Sequence, residues 1–251
     1  MTTLLSGGRI VRGSGIERAD VLIRNGTIAA IGAISSPAET TIDATGLLIF
    51  PGLVDTQVHF REPGLEHKED LATGSRAALL GGVTSFLEMP NTSPATTDAD
   101  ALAGKLRRAE GRCWADYGFF VGATAENADR LAEYETLPGT PGIKLFMGSS
   151  TGGLLVESDE DVRRVLKSGR RRMPVHSEDE PRNRAARAAY AGHDPTDHPH
   201  VRDAESARLS TERLLRLSAE TGRDVHVLHI STADELPMLA DAKRALGTTC
   251  E

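Results

Sequence analysis

The chain changes its hydrophobic rhythm once, near residue 47. Up to about residue 46, short β-prone segments alternate with turns (LLSGGRIV, ADVLIRNGTIAAIG and TTIDA) and no helix-length period appears. Asn25-Gly26 is a strong hairpin signal, because both residues accept the left-handed backbone of a two-residue turn. This stretch reads as a small β unit. From Leu47 onward, strand, loop and helix alternate. Apolar runs predict strands at Val54–His59, Val83–Met89, Asp116–Ala123, Gly142–Met147, Met173–Glu178 and Asp224–Ser231, and Thr248–Glu251 opens another. Helices are predicted at about Lys68–Leu80, Asp98–Arg112, Asn127–Glu135, Ser158–Leu166, Ala204–Glu220 and Ala233–Leu246. The polar, Pro- and His-bearing stretch between the fifth strand and about Val201 reads as a loop.

Continuous apolar strands separated by helices predict an α/β fold with a parallel sheet. Open sheets and closed barrels share that pattern. Polar groups recur at strand ends on the first, fourth, fifth and sixth strands, and a barrel gathers strand ends at one mouth. The first strand ends in Gln57, His59 and Arg61, with Gln57 and His59 two residues apart and hence on one face. Lys144 lies between Ile143 and Leu145 in an apolar run, where an amine is costly unless neutralised, paired or modified. His176 ends the fifth strand. His226 and His229 face opposite ways if the sixth strand is regular, and His229 is nearer its C-terminal end. Each residue alone suits a satisfied core position. Three imidazoles (His59, His176, His229) and a buried lysine at one mouth suit a divalent metal such as zinc. The lysine joins such a site only as a carboxylate, after carbamylation by carbon dioxide.

Composition narrows the field. A formal charge of -7 over 251 residues argues against a nucleic-acid footprint. Arg170, Arg171 and Arg172, the dense basic cluster, read as a solvated helix end. Cys113 and Cys250 form no zinc or disulfide framework, which fits a reducing cytoplasm. No apolar run approaches the ~20 residues of a membrane span, and no signal-peptide pattern opens the chain. His198-Pro-His200 falls in the polar loop and reads as lying outside the metal site.

Several stretches together resemble dihydroorotase of the amidohydrolase superfamily: PGLVDTQVHFREPGLEHKED, EMPNTSP (Glu88–Pro94), GIKLFMGSSTGG (Gly142–Gly153), VHSEDE (Val175–Glu180) and LHISTADEL (Leu228–Leu236). The resemblance spans about residues 47–251. It implies an amidohydrolase-type (β/α)8 TIM barrel, here lacking its last strands, with residues 1–46 as the N-terminal part of a flanking β-sandwich. It implies zinc, one or two ions, held by His59, carboxylated Lys144, His176 and His229, with Arg61 and Asn91 on the substrate's carboxylate. The implied reaction is reversible hydrolysis of L-dihydroorotate to N-carbamoyl-L-aspartate, in pyrimidine biosynthesis, by a metal-activated hydroxide. The implied partners are a small-molecule substrate, a second copy as homodimer, or aspartate carbamoyltransferase.

Two positions depart from the pattern. Gln57 stands where the family has a histidine; its amide oxygen is a weaker ligand than imidazole, so one tightly held metal is expected rather than two. The family's proton-shuttling aspartate would lie beyond residue 251, so no catalytic residue is assigned, and the 251 residues read as a fragment of a longer protein. Allantoinase and hydantoinase chemistry are the alternatives within the superfamily. Arg61 and Asn91 favour dihydroorotase, since hydantoin lacks a carboxylate. A catalytically silent homologue acting as a structural partner is the alternative from another class.

Overall fold

The computed structural model describes residues 1–149, 153–190 and 194–251. Positions 150–152 of the GIKLFMGSSTGG motif, and 191–193 of the stretch read as a loop, lie outside the described residues. The chain divides into two compact units, Met1–Leu53 and Val54–Glu251.

The smaller unit is all β. Its strands are β1 (Thr2–Ser6), β2 (Arg9–Arg12), β3 (Gly15–Arg18), β4 (Asp20–Arg24), β5 (Thr27–Gly32), β6 (Thr40–Asp43) and β7 (Leu48–Ile49). They form a four-stranded sheet in the order β5-β4-β1-β6 and a three-stranded sheet β3-β2-β7. Leu4, Ile10, Val21 and Leu22, on β1, β2 and β4, are buried. The β4–β5 hairpin turns at Asn25 and Gly26, with φ 50° and 78°, the left-handed pair that the dipeptide predicts. The unit runs past the expected boundary at residue 46 because β7 pairs with β2 through Leu48 and Ile49.

In the larger unit strands and helices alternate: β8 (Leu53–Val58), α1 (Leu71–Leu80), β9 (Val83–Glu88), α2 (Ala99–Ala109), β10 (Asp116–Phe119), β11 (Val121–Gly122), α3 (Leu131–Tyr134), β12 (Ile143–Phe146), α4 (Asp159–Lys167), β13 (Met173–His176), α5 (Glu180–Ala189), α6 (His198–Val201), α7 (Ala204–Thr221), β14 (Val225–Val227), α8 (Leu236–Leu246) and β15 (Thr249–Cys250). The pairings β9–β10, β11–β12, β12–β13, β13–β14 and β14–β15 are parallel. Two runs, β8-β9-β10 and β11-β12-β13-β14-β15, follow chain order, and meet at Phe120, whose N–H donates to the Glu88 carbonyl. This is the strand order of a parallel (β/α) barrel. Among the described residues, no helix is long and apolar enough to cross a membrane.

Strand alternation sorts the side chains. Phe86, Phe119, Ile143, Leu145, Val175, Val225 and Val227 join the main apolar core with helix residues such as Leu71, Leu102, Leu214 and Leu217. Their alternates face inward: Leu87, Phe120, Pro174, His226 and Leu228 line an inner cavity of about 420 Å³. Lys144, between Ile143 and Leu145, therefore belongs to the inner face.

Helix starts follow local chemistry. Asp70, Asp98, Ser158, Asp179 and Asp203 each cap a helix by accepting from a backbone N–H two or three residues into it. The segment after β13, expected to be a loop, contains α5 and α6. Asp179 caps α5, Pro181 sits in its first turn and Ala185, Ala186, Ala188 and Ala189 favour the helix. At the N-terminal rim of the barrel, buried Glu135 accepts from the Arg170 and Arg171 backbone N–H groups. It also pairs with buried Arg223 at 2.8 Å. A Cβ on Gly169, whose φ is 93°, would lie 2.3 Å from the Glu135 carboxylate.

Gly74 in α1 gives a test of this packing. Its missing Cβ would lie 2.6 Å from Cδ1 of Phe60. That ring cannot slide away, because it packs at 4.9 Å on fully buried Phe86. Overpacking costs about 1–3 kcal/mol, which exceeds the roughly 0.5–1 kcal/mol a helix gains from Gly to Ala. Gly74→Ala is therefore expected to lower the urea midpoint; a raised midpoint would show that Phe60 is loosely held.

Candidate active site

The mouth is built where strands end and the chain turns. β8 stops at Val58, and the next residues carry the candidate groups. Arg61 has φ 69°, a left-handed conformation that costs a residue with a Cβ. Its N–H donates to Glu88 Oε1 at 3.1 Å, and its Nη1 donates to the Asn91 carbonyl at 3.4 Å. His59 Nδ1 lies 2.9 Å from Asn91 Oδ1. An amide oxygen only accepts, so His59 carries its proton on Nδ1 and presents the Nε2 lone pair. Burial, then the charge of Arg61, lowers the His59 pKa to about 4, with Lys144 and His229 adding to the effect. The ring is neutral at pH 7.

Lys144 is fully buried. Its Nζ has no hydrogen-bond partner among the described residues and sits 4.4 Å from the centre of the Phe146 ring. Burial drives its pKa well below the usual lysine range, so the free amine is favoured.

His176 and His229 meet. Nδ1 of His176 is 3.0 Å from Nε2 of His229, with the rings edge to face. On its other side, His176 Nε2 lies 3.1 Å from Glu178 Oε2. Glu178 also pairs with Arg202 at 2.8 Å and accepts from Asn183. Burial pushes the Glu178 carboxyl up, but His176 and Arg202 outweigh it and hold it below the usual range. Burial lowers the pKa of both imidazoles, to about 4 for His229, where the neighbouring His176 adds to it.

The sequence reading of the sixth strand needs correction. β14 ends at Val227, so His229 is not on a strand, and its φ of 48° turns the ring. His226 and Leu228 both face inward as alternation requires, and His226 bonds Thr249 Oγ1 at 2.7 Å. His229, which regular alternation would aim outward, is brought to His176 by the left-handed turn. Asn91 turns its side-chain oxygen to His59.

Above these groups lies a cavity of about 510 Å³ lined by Arg61, His176, Arg187, His198, Arg202 and their neighbours. Nothing in the sequence pattern marks Arg187, because the polar stretch that forms α5 conceals its place on a helix; His198, expected to lie outside the metal site, lines the cavity above it. His200, the other half of the His-Pro-His pair, stacks on Tyr190 at 5.5 Å.

Among the described residues, no three His, Cys, Asp or Glu side chains form a ready metal cluster. The convergence consists instead of two touching imidazoles and an orphaned amine. Two nitrogens on one zinc ion stand about 3.3 Å apart, given Zn–N lengths near 2.0–2.1 Å. The His176–His229 separation of 3.0 Å is close to that. The Glu178–His176 contact is the carboxylate–imidazole arrangement common behind metal-bound histidines. A carboxylated Lys144 would supply an anionic oxygen and remove an unpartnered buried group. The donor set fits a divalent ion.

Comparison with known proteins agrees with this architecture. Residues 48–171 match the amidohydrolase family model. The chain is 35% identical to an allantoinase of Rubrobacter xylanophilus over 99% of its own length and 56% of that protein. It is 36% identical to a dihydroorotase of Trichlorobacter lovleyi over 100% of its length and 60% of that protein. Its fold superposes on an L-hydantoinase from Arthrobacter aurescens with a TM-score of 0.91 at 28% identity, covering 99% of this chain and 57% of that one. Over residues 48–171 the chain matches the amidohydrolase family, and its fold is the one that family shares. Members of this family generally use divalent metal ions. The chain spans somewhat over half the length of the curated relatives it matches. Those relatives carry the names of different cyclic-amide hydrolases, so the family is common ground and the substrate is not.

Lys144 gives a test of the site's character. Burying an unpaired polar group costs about 1–3 kcal/mol in proteins. Lys144→Met is expected to raise the unfolding free energy of metal-free protein by an amount in that range. Destabilisation in urea melts would reveal a partner for the amine.

Proposed function

We propose that this site hydrolyses a cyclic ureide bearing a carboxylate, with L-dihydroorotate opened reversibly to N-carbamoyl-L-aspartate as the best-matched substrate. The observation that carries this reading is the cavity over His176, on which the three guanidiniums of Arg61, Arg187 and Arg202 converge. Arg202 is partly neutralised by Glu178, which leaves Arg61 and Arg187 as the cations that answer an anion. A guanidinium holds a carboxylate through two parallel hydrogen bonds. The dihydroorotase relative supports the same reading.

The chain's own residues divide the work. His176, His229 and carboxylated Lys144, with His59 beside them, would hold one divalent ion, zinc by donor preference. Gln57 in place of an imidazole supports one ion rather than two. When bound, such an ion lowers the pKa of water to ~7 and polarises a carbonyl. Lys144 as a free buried amine is the form that takes up carbon dioxide, releasing a proton as the carbamate forms. Glu178 fixes the His176 ring and Asn91 the His59 ring. Arg61 seats the substrate's carboxylate and so orients the ring amide toward the imidazoles.

A second reading, hydrolysis of the uncharged ureide allantoin, is supported by the Rubrobacter relative. The purified, zinc-supplied full-length protein is assayed on L-dihydroorotate, allantoin and hydantoin. Turnover confined to dihydroorotate is expected; preference for allantoin would replace the first reading by the second. A lost charge-assisted hydrogen bond is worth about 1.5–3 kcal/mol, so Arg61→Met is expected to raise KM for dihydroorotate roughly 10- to 100-fold, with little change for uncharged ureides. Removing the group behind a metal-bound histidine typically weakens metal 10- to 100-fold, about the loss expected for zinc in Asn91→Leu by competition with a chelator. Unchanged zinc affinity would remove His59 from the metal site.

A further inference from the structure

Glu88 and Lys105 are ionisable, and the proposed chemistry uses neither. Their side chains are 0% and 1% exposed and meet at 2.6 Å between β9 and α2. Apolar side chains usually fill such a position. Replacing a buried ion pair by packed apolar groups is often neutral or stabilising, so the pair is a poor device for stability alone. Its remaining bonds show what it does hold. Glu88 Oε1 accepts the Arg61 N–H at 3.1 Å. Lys105 Nζ donates to the Met89 carbonyl at 3.1 Å, two residues before Asn91. One ion pair thereby grips both turns at the mouth: the turn that carries Arg61, left-handed at φ 69°, and the turn that carries Asn91. Arg61 Nη1, donating to the Asn91 carbonyl, closes the loop between them.

The neighbouring acid differs. Glu62 pairs with Arg112, which is 43% exposed, and accepts the Leu71 N–H at the start of α1. That is an ordinary anchor with a solvated partner. Glu88 and Lys105 are sealed from water and directed at the backbone of the anion-binding turn.

We propose that Glu88 and Lys105 are positioning residues for substrate recognition: the buried pair holds the Arg61 peptide in its left-handed conformation and so aims the guanidinium at the carboxylate of the bound ureide. This rests on the anionic-substrate reading above.

Two paired substitutions separate positioning from stability. Glu88→Leu with Lys105→Met removes the charges and the acceptor for the Arg61 N–H. Glu88→Gln with Lys105→Met removes the charges but keeps an amide oxygen in place of Oε1. Thermal melts, calorimetric binding of N-carbamoyl-L-aspartate and hydrogen exchange at the Arg61 amide are measured on each. Both variants are expected to melt at or above the wild-type temperature. The Leu variant is expected to bind at least about 10-fold more weakly and to lose Arg61 amide protection, the effect of one unmade buried hydrogen bond. The Gln variant is expected to stay within about 3-fold of wild type, because its amide oxygen still accepts. Wild-type affinity in a folded Leu variant overturns the proposal, as does equal weakening in both variants. Unfolding of the Leu variant, alone or together with the Gln variant, assigns the pair to stability and also overturns it. Failure of the wild-type chain to bind N-carbamoyl-L-aspartate overturns the functional reading instead; Arg61 amide exchange needs no ligand and still decides whether the pair clamps the turn.

Discussion

The larger unit depends on the two-residue alternation of its parallel strands. Each strand must satisfy two environments, a helix layer that accepts only apolar groups and an interior that gathers whatever the other face carries. Ile143 and Leu145 take the first, so Lys144 is forced into the second, fully buried and with no described hydrogen-bond partner. The same constraint turns His226 inward below the mouth. Buried titratable groups at this barrel's centre are a direct consequence of the apolar pattern that builds its outer core.

Alternation alone does not assemble the mouth. Where strands end, single left-handed residues redirect the chain, Arg61 after β8 and His229 after β14. Each carries a candidate functional side chain on a strained backbone, and each is tied back by neighbours. Arg61 is held through Glu88, and His229 meets His176, which Glu178 steadies from behind. Strain held in place by surrounding bonds is common where function needs fixed geometry.

Much of this was legible in the sequence. The strand and helix order follows from apolar runs and turn residues, and the parallel α/β architecture from their alternation. Candidate residues at strand ends could be named because apolar strands make polar intruders conspicuous. Three things escaped. The segment holding α5 and α6 is polar enough to pass for a loop, and Arg187 is hidden with it as a wall of the cavity. The direction of His229 depends on a backbone turn that no periodicity records. The pairing of Glu88 with Lys105 joins a strand to the following helix, and neither residue is unusual until both are seen to be buried.

The opposite rim behaves differently. There Glu135 receives two backbone N–H groups and Arg223, and Gly169 leaves no room for any side chain beside the carboxylate. That pole is closed to drift: almost any exchange at Gly169 must first dislodge a buried acid. The cavity side is walled by residues on short helices that can be exchanged without disturbing this lock. Over evolutionary time, a scaffold fastened at one pole can alter which ring it accepts at the other while keeping the same floor.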